Sequence, residues 1–271
     1  MPPGFSVSQV YPIQSSQLTL FFFQDPTSPV IMKFSTAAAA ACAPSLAYGL
    51  VGHHWNFDKT PTNGLRQVTF PYNVANAPHK KGFYYANQYT FQNSSLGYAG
   101  VQGRPDANGK NVLLFIFSSF VHDSTTNHPR CVYGADGGKG VSCSVSISDA
   151  DYSHTYSVEI ENTSGTTWTG TVVDTITGER TSAGEYTLPD TAGGIKGSQV
   201  GFVEYFPWNS KPSHDCATLP KTEVTFYDPT SSTPGAGHGA IGKPYEYGDC
   251  KGKANFSTNR VDGGWQIDIG F

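Results

Sequence analysis

The sequence predicts an all-β chain, two antiparallel sheets packed face to face as a β-sandwich of the jelly-roll or concanavalin-like kind. Three observations lead there. Charged residues make up only 14% of the 271 residues and Met occurs twice, which disfavours a helical bundle built from Glu, Lys, Leu and Met. Aromatic residues reach 13%, enough apolar area for a sizeable core, and 30 Gly with 18 Pro supply many turns. Beyond residue 48, no segment carries a helical period over three turns.

The strands follow from alternating or aromatic-rich runs bounded by Gly, Pro and Asn. They are expected at residues 65–72, 82–91, 112–121, 141–147, 156–161, 166–174, 184–188, 198–206, 223–227 and 264–269. Tyr156 to Glu161 alternates strictly, so one face packs and the other meets solvent or ligand. Val112 to Phe117 is apolar on both faces, which predicts a central strand covered by a second sheet. Residues 231–242, rich in Gly and Ser, read as a loop inside one domain, because Cys250 and the strand containing Trp265 are needed to close the fold.

The N-terminal region predicts export. Residues 1–31 lack a signal pattern, whereas Met32-Lys33-Phe34, the alanine run Ala37 to Ala41, and Ser45 and Ala47 as small residues before a cut have one. The expectation is a non-native extension over 1–31, a signal peptide over 32–47 and a single β-sandwich domain over 48–271. The apolar run falls short of the ~20 residues of a membrane span. Removing Cys42 with the signal leaves Cys131, Cys143, Cys216 and Cys250. Four cysteines allow three pairings, and closeness in the chain favours 131 with 143 and 216 with 250. Acceptor sequons at Asn93, Asn162 and Asn255 fit a secreted glycoprotein. No Cys-x-x-Cys or His-x-x-x-His spacing exists, so neither metal nor cofactor is expected. A net charge of -4 gives no electrostatic footprint for nucleic acid.

Four motifs occur in order: Gly97-Tyr98-Ala99-Gly100-Val101-Gln102, Leu114-Phe115-Ile116-Phe117-Ser118, Arg130 followed by Tyr133 to Gly140, and Phe202-Val203-Glu204-Tyr205-Phe206. Their order and spacing over roughly residues 80–210 resemble the extracellular domain of unknown function 3472 family. The chain departs from that pattern at Ala99, where an aromatic is usual, and at Asp136, where glutamate is common. Its added cysteines and Tyr245-Glu246-Tyr247-Gly248-Asp249-Cys250 tail look like a fungal-type branch. The resemblance implies a secreted β-sandwich associated with carbohydrate biology and no established reaction.

Candidate site residues lie on those motifs. Period-two spacing puts Glu204 on the face of Phe202 and Phe206, away from Val203 and Tyr205. A carboxylate among aromatics needs a partner, such as Arg130 or a backbone amide, or it lines a groove. Asp136, in a turn with four glycines, is the candidate second acid. Tyr98, Gln102, Arg130 and Trp208 are candidate ligand contacts, with Tyr84, Tyr85, Tyr89 and Trp168 as further aromatics. The leading function is a monomeric, extracellular glycan-binding module acting on cell-wall or environmental polysaccharides, with sugar rings stacking on Tyr or Trp. The alternatives are a carbohydrate-active hydrolase or lyase using Glu204 with a second acid, and a structural or interaction protein without a small ligand.

Overall fold

The computed structural model describes residues 49–209, 211 and 213–271. The expected extension and signal, and Cys42 with them, lie outside the described residues. In chain order the first strands are β1 (Gly49–Phe57), β2 (Gln67–Asn73), β3 (Phe83–Thr90), β4 (Leu96–Ala107), β5 (Lys110–Ser119) and β6 (Cys131–Tyr133). There follow β7 (Val141–Ser148), β8 (Thr155–Ser164), β9 (Thr167–Asp174), β10 (Arg180–Thr187) and β11 (Ser198–Tyr205). The last are β12 (Thr222–Tyr227), β13 (Gly239–Ile241), β14 (Tyr245–Glu246), β15 (Ser257–Val261) and β16 (Gly264–Ile269). They form an antiparallel β-sandwich. One sheet runs β13-β1-β11-β3-β4-β5-β7-β6, with β14 also on β1, and the other runs β10-β9-β8-β2-β12-β16-β15. Among the described residues, no helix is long and apolar enough to cross a membrane.

All ten expected strands form, and six more join them. β4 escapes a periodicity search because Gly97, Gly100, Gly103 and Pro105 interrupt it. Two of these glycines are required by close strand approach: a Cβ at Gly97 would lie 2.3 Å from the Ser118 carbonyl oxygen, and one at Gly100 2.1 Å from that of Tyr85. β6, β13 and β14 are too short for a period, and the polar β15 is an edge strand. As expected, β5 is a central strand, between β4 and β7, and is covered by the second sheet. Leu113, Phe115 and Phe117 are fully buried against the second sheet, while Ile116 packs in a separate cluster on the outer face.

Aromatics from both sheets fill the core, and tyrosine hydroxyls tie the layers together. Tyr72 on β2 donates to the Ala99 carbonyl on β4 at 2.8 Å, and the Tyr85 hydroxyl meets Thr222 across the gap at 2.5 Å. Tyr89 donates to the Ser118 carbonyl at 2.7 Å and meets the Tyr186 hydroxyl on β10 at 2.9 Å. Each of these four phenols thereby keeps a polar partner, as burial demands. Two disulfides close the structure, Cys131 with Cys143 across β6 and β7, and Cys216 with Cys250.

His53 on β1 also points into this core and is fully buried. It lies beside Gly201, where a Cβ would sit 2.2 Å from His53 Nε2 and 2.3 Å from Asn87 Oδ1, so only glycine fits between them. Burial lowers the His53 pKa to about 3, with the His54 backbone offsetting part of the shift. A folded value below the unfolded one near 6.5 means that its stabilisation is complete above about pH 6.5 and is lost as pH falls toward 3. The stability difference between wild type and His53→Phe is therefore expected to change by on the order of 4 kcal/mol between about pH 7.5 and about pH 3.5, in favour of the variant at acid pH. Urea denaturation of both proteins across that range checks it, and parallel curves would refute it.

Candidate functional site

The outer face of the nine-stranded sheet carries a polar row set in aromatics. Strand alternation on β11 sends Val203 into the core and turns Phe202 and Glu204 outward. Glu204 pairs across the ladder with Tyr84 on β3. One step beyond the Tyr85–Val101 pair of β3 and β4, Tyr84 stands opposite Gln102. With neighbouring strands about 4.8 Å apart, Glu204, Tyr84 and Gln102 form one row about 10 Å long. The adjacent row is Phe202, Ala86, Gly100 and Ile116, whose small members form a low floor.

Tyr84, Ala86 and Phe202 with Tyr98, Ile116 and Phe206 make a hydrophobic cluster separate from the inter-sheet core. Tyr98 sits edge-on to Phe202 at 5.4 Å and to Phe120 at 4.7 Å. The far wall comes from the C-terminal tail. Tyr245 lies over Gly52 and stacks with His54, and Tyr247 lies over Gly49. Those glycines are needed there, since a Cβ at Gly49 would fall 1.5 Å from the Tyr247 hydroxyl oxygen. Tyr247 and Asn209 belong to the site although neither lies on a motif read from the sequence. Tyr247 was visible only as part of an aromatic tail, and Asn209 carries no local signal.

Glu204 is 7% exposed and has no cationic partner among the described residues. The expected pair with Arg130 is corrected, because the Arg130 guanidinium donates to the Ser182 backbone carbonyl. Glu204 Oε1 instead accepts from Asn209 Nδ2 at 2.6 Å, one residue past the short 3-10 turn Phe206–Trp208. Burial raises the Glu204 pKa, the Asn209 bond partly offsets that, and the negative charge of Asp136 raises it again. Asp136 is exposed on one side at its turn (φ 48°), while the protein on its other side raises its pKa by desolvation. Both acids act on Tyr84 and Tyr98, whose phenols are raised first by burial, Tyr98 to about 12. The site thus brings together Glu204, Asp136, Tyr98 and Gln102.

Other candidates fall elsewhere. Trp208 is withdrawn as a ligand contact: it is buried, stacked on His214 at 4.1 Å and edge-on to Tyr205 at 5.1 Å. Tyr85, Tyr89 and Trp168 are core residues. Asn93 and Asn255 are exposed, but Asn255 Nδ2 donates to the Gly270 carbonyl at 3.0 Å. Asn162 Nδ2 donates to the carbonyls of Gly165 and Thr167, so a glycan there must break two bonds. Among the described residues, one group of His, Cys and acidic side chains has metal-like spacing: His214 with Cys216 and Cys250, whose sulfurs are bonded to each other.

No family model and no curated protein sequence matches the chain. Among solved structures, SCP-B, a member of the Eqolisin family of peptidases in complex with the tripeptide Ala-Ile-His, matches at 11% identity and a TM-score of 0.42. Scytalido-glutamic peptidase with a transition state analog inhibitor matches at 11% identity and 0.44. Each alignment covers 83% of this chain and 99% of the other. The CBM2 module of the evolved Dit from Lactobacillus casei BL23 phage J-1 matches at 15% identity and 0.25, covering 56% of this chain and 67% of that one. At this level of likeness, no residue role transfers to this chain.

Because the folded pKa of Glu204 is raised, ionising it in the groove costs stability. That cost is absent below the unfolded carboxyl value near 4.3 and grows as pH rises through the folded value. Glu204→Gln keeps an acceptor for Asn209 and removes the charge. Relative to wild type it is expected to gain stability between about pH 4 and about pH 8, as measured by chemical denaturation at both ends. A relative loss toward high pH would show that Glu204 is held by a cation after all.

Proposed function

We propose that the protein is a secreted glycan-binding β-sandwich whose ligand lies in the outer groove of the nine-stranded sheet. The observation that carries this reading is the polar row Glu204, Tyr84 and Gln102, set within an aromatic cluster outside the inter-sheet core. Sugars present apolar ring faces and hydroxyl edges together. Tyr98 and Tyr247 offer rings at the sides, and Gln102, Glu204 and Asp136 offer the donors and acceptors that hydroxyls require. The two disulfides and the resemblance to the domain of unknown function 3472 family support export and a carbohydrate ligand.

The raised values of two neighbouring carboxyls favour one further reading, a glycoside hydrolase or lyase in which Glu204 delivers a proton and Asp136 acts as the second acid. Retention on insoluble wall polysaccharides, run beside an assay for new reducing ends or unsaturated products, separates the two. Retention without release is the expected result. Tyr98→Ala should weaken retention by ~1 kcal/mol or more, about fivefold, if its ring stacks on a sugar. Release that disappears in Glu204→Gln while retention persists would replace binding with catalysis. Wild-type binding that Tyr98→Ala and Glu204→Gln both leave unchanged moves the functional surface away from this groove.

A further inference from the structure

The charge of the groove restricts the kind of glycan it can take. The turn that bears Asp136 packs through Gly140 against Ser119 and Phe120, whose ring meets Tyr98 at 4.7 Å, so Asp136 stands on the Tyr98 side of the site, where its charge opposes ionisation of Glu204. Among the described residues, no Lys, Arg or His forms an ion pair with Glu204 or Asp136. Asn209 occupies one oxygen of Glu204 and leaves the other to a ligand. Between Glu204 and Gln102 in the row stands Tyr84, whose hydroxyl oxygen is buried and makes no hydrogen bond among the described residues. Tyr98, packed edge-on to Phe202, and Tyr247, lying over Gly49 whose ladder partner is Glu204, add aromatic rings near the same carboxylate. Two acids, a phenol oxygen without a bond and flanking π faces form a receptor for a hydrogen-bond-donating cation. The same set repels a uronate.

We propose that the groove selects glycans bearing free amines, such as deacetylated hexosamine polymers, with one sugar ammonium held between Glu204 and Asp136 and donating to Tyr84 Oη. The proposal rests on the glycan-binding reading and names the chemical class of its ligand. An ammonium supplies the missing countercharge and up to three N–H donors for the oxygens that face it. An N-acetyl group supplies one weaker donor and no charge. A bare divalent ion is a poorer occupant, because the one metal-like cluster among the described residues lies at the Cys216–Cys250 bridge and not here.

Calorimetric titration at about pH 5.5 with four matched linear oligomers tests the assignment: glucosamine, N-acetylglucosamine, glucose and galacturonate pentamers. The glucosamine pentamer is expected to bind about tenfold or more tightly than the N-acetylated and neutral ones, and the galacturonate pentamer least tightly. Glu204→Gln and Asp136→Asn should each reduce the ratio of glucosamine-pentamer to glucose-pentamer affinity. Asp136 is exposed, so its variant keeps the test valid even if the Glu204 variant folds poorly. Asp262→Asn, an exposed acid in the turn between β15 and β16, should leave the preference intact and so exclude general attraction to a chain of net charge -4. Equal affinity for the acetylated and deacetylated pentamers, or a preference equally sensitive to Asp262→Asn, overturns amine selection and leaves glycan binding standing. No heat with any pentamer overturns both.

Discussion

One hydrogen bond, from Asn209 Nδ2 to Glu204 Oε1 at 2.6 Å, ties the site to the rest of the fold. Glu204 needs it because it is buried with no cationic partner among the described residues, where an acid without a partner would be costly. Asn209 is placed by the turn Phe206–Trp208, and that turn is anchored through Trp208, which stacks on His214. His214 Nε2 lies 3.4 Å from Cys250 Sγ and 3.2 Å from Asp249 Oδ2. Cys250 is bonded to Cys216 and ends the tail that carries Tyr247. A single disulfide thus fastens together the segment that supplies the partner of Glu204 and the segment that supplies the far aromatic wall. The disulfide touches no ligand in this arrangement, yet both sides of the groove hang from it.

Glycines set the depth of that groove. Gly49 and Gly52 on β1 let tail tyrosines lie across the sheet, and Gly100 on β4 lets β3 approach and keeps the floor low. Elsewhere such residues would weaken a strand by removing packing and adding unfolded-state entropy. Here the loss is offset by aromatic contacts that no larger residue permits. The same economy works on the inner face at Gly201, where His53 and Asn87 take the space of a side chain.

The ten strands with clean alternation were legible because their side chains obey a two-residue period that burial enforces. β4 was not, although it bears Tyr98 and Gln102, because close-approach glycines erase the period that identifies a strand. The outward direction of Glu204 followed from that period alone. Its partner did not, because Arg130 is near in motif order but bonds to β10, whereas Asn209 is recruited by a turn whose position depends on long-range contacts. Trp208 shows the limit of composition: a tryptophan next to a site motif lies in a turn, where no period tells inside from outside, and here it faces inward. Tyr247 enters through a chain reversal closed by Cys250, which no local pattern encodes.

The two faces of the strand pair β1 and β11 titrate in opposite directions. His53 is held neutral inside and resists acid, while Glu204 is held against ionisation outside and resists base. An acidic medium that keeps Glu204 protonated also removes the stabilisation at His53, by about 1.4 kcal/mol for each pH unit below 6.5 until its folded value is reached. Over a few pH units that loss is comparable to the ~2–4 kcal/mol that one disulfide contributes. A chain that buries a neutral imidazole in its core gains from covalent reinforcement in acid. The two bridges supply it, one at the β6–β7 hairpin that carries Asp136 and one at the tail that carries Tyr247. The crosslinks sit where acid stability and groove geometry make the same demand.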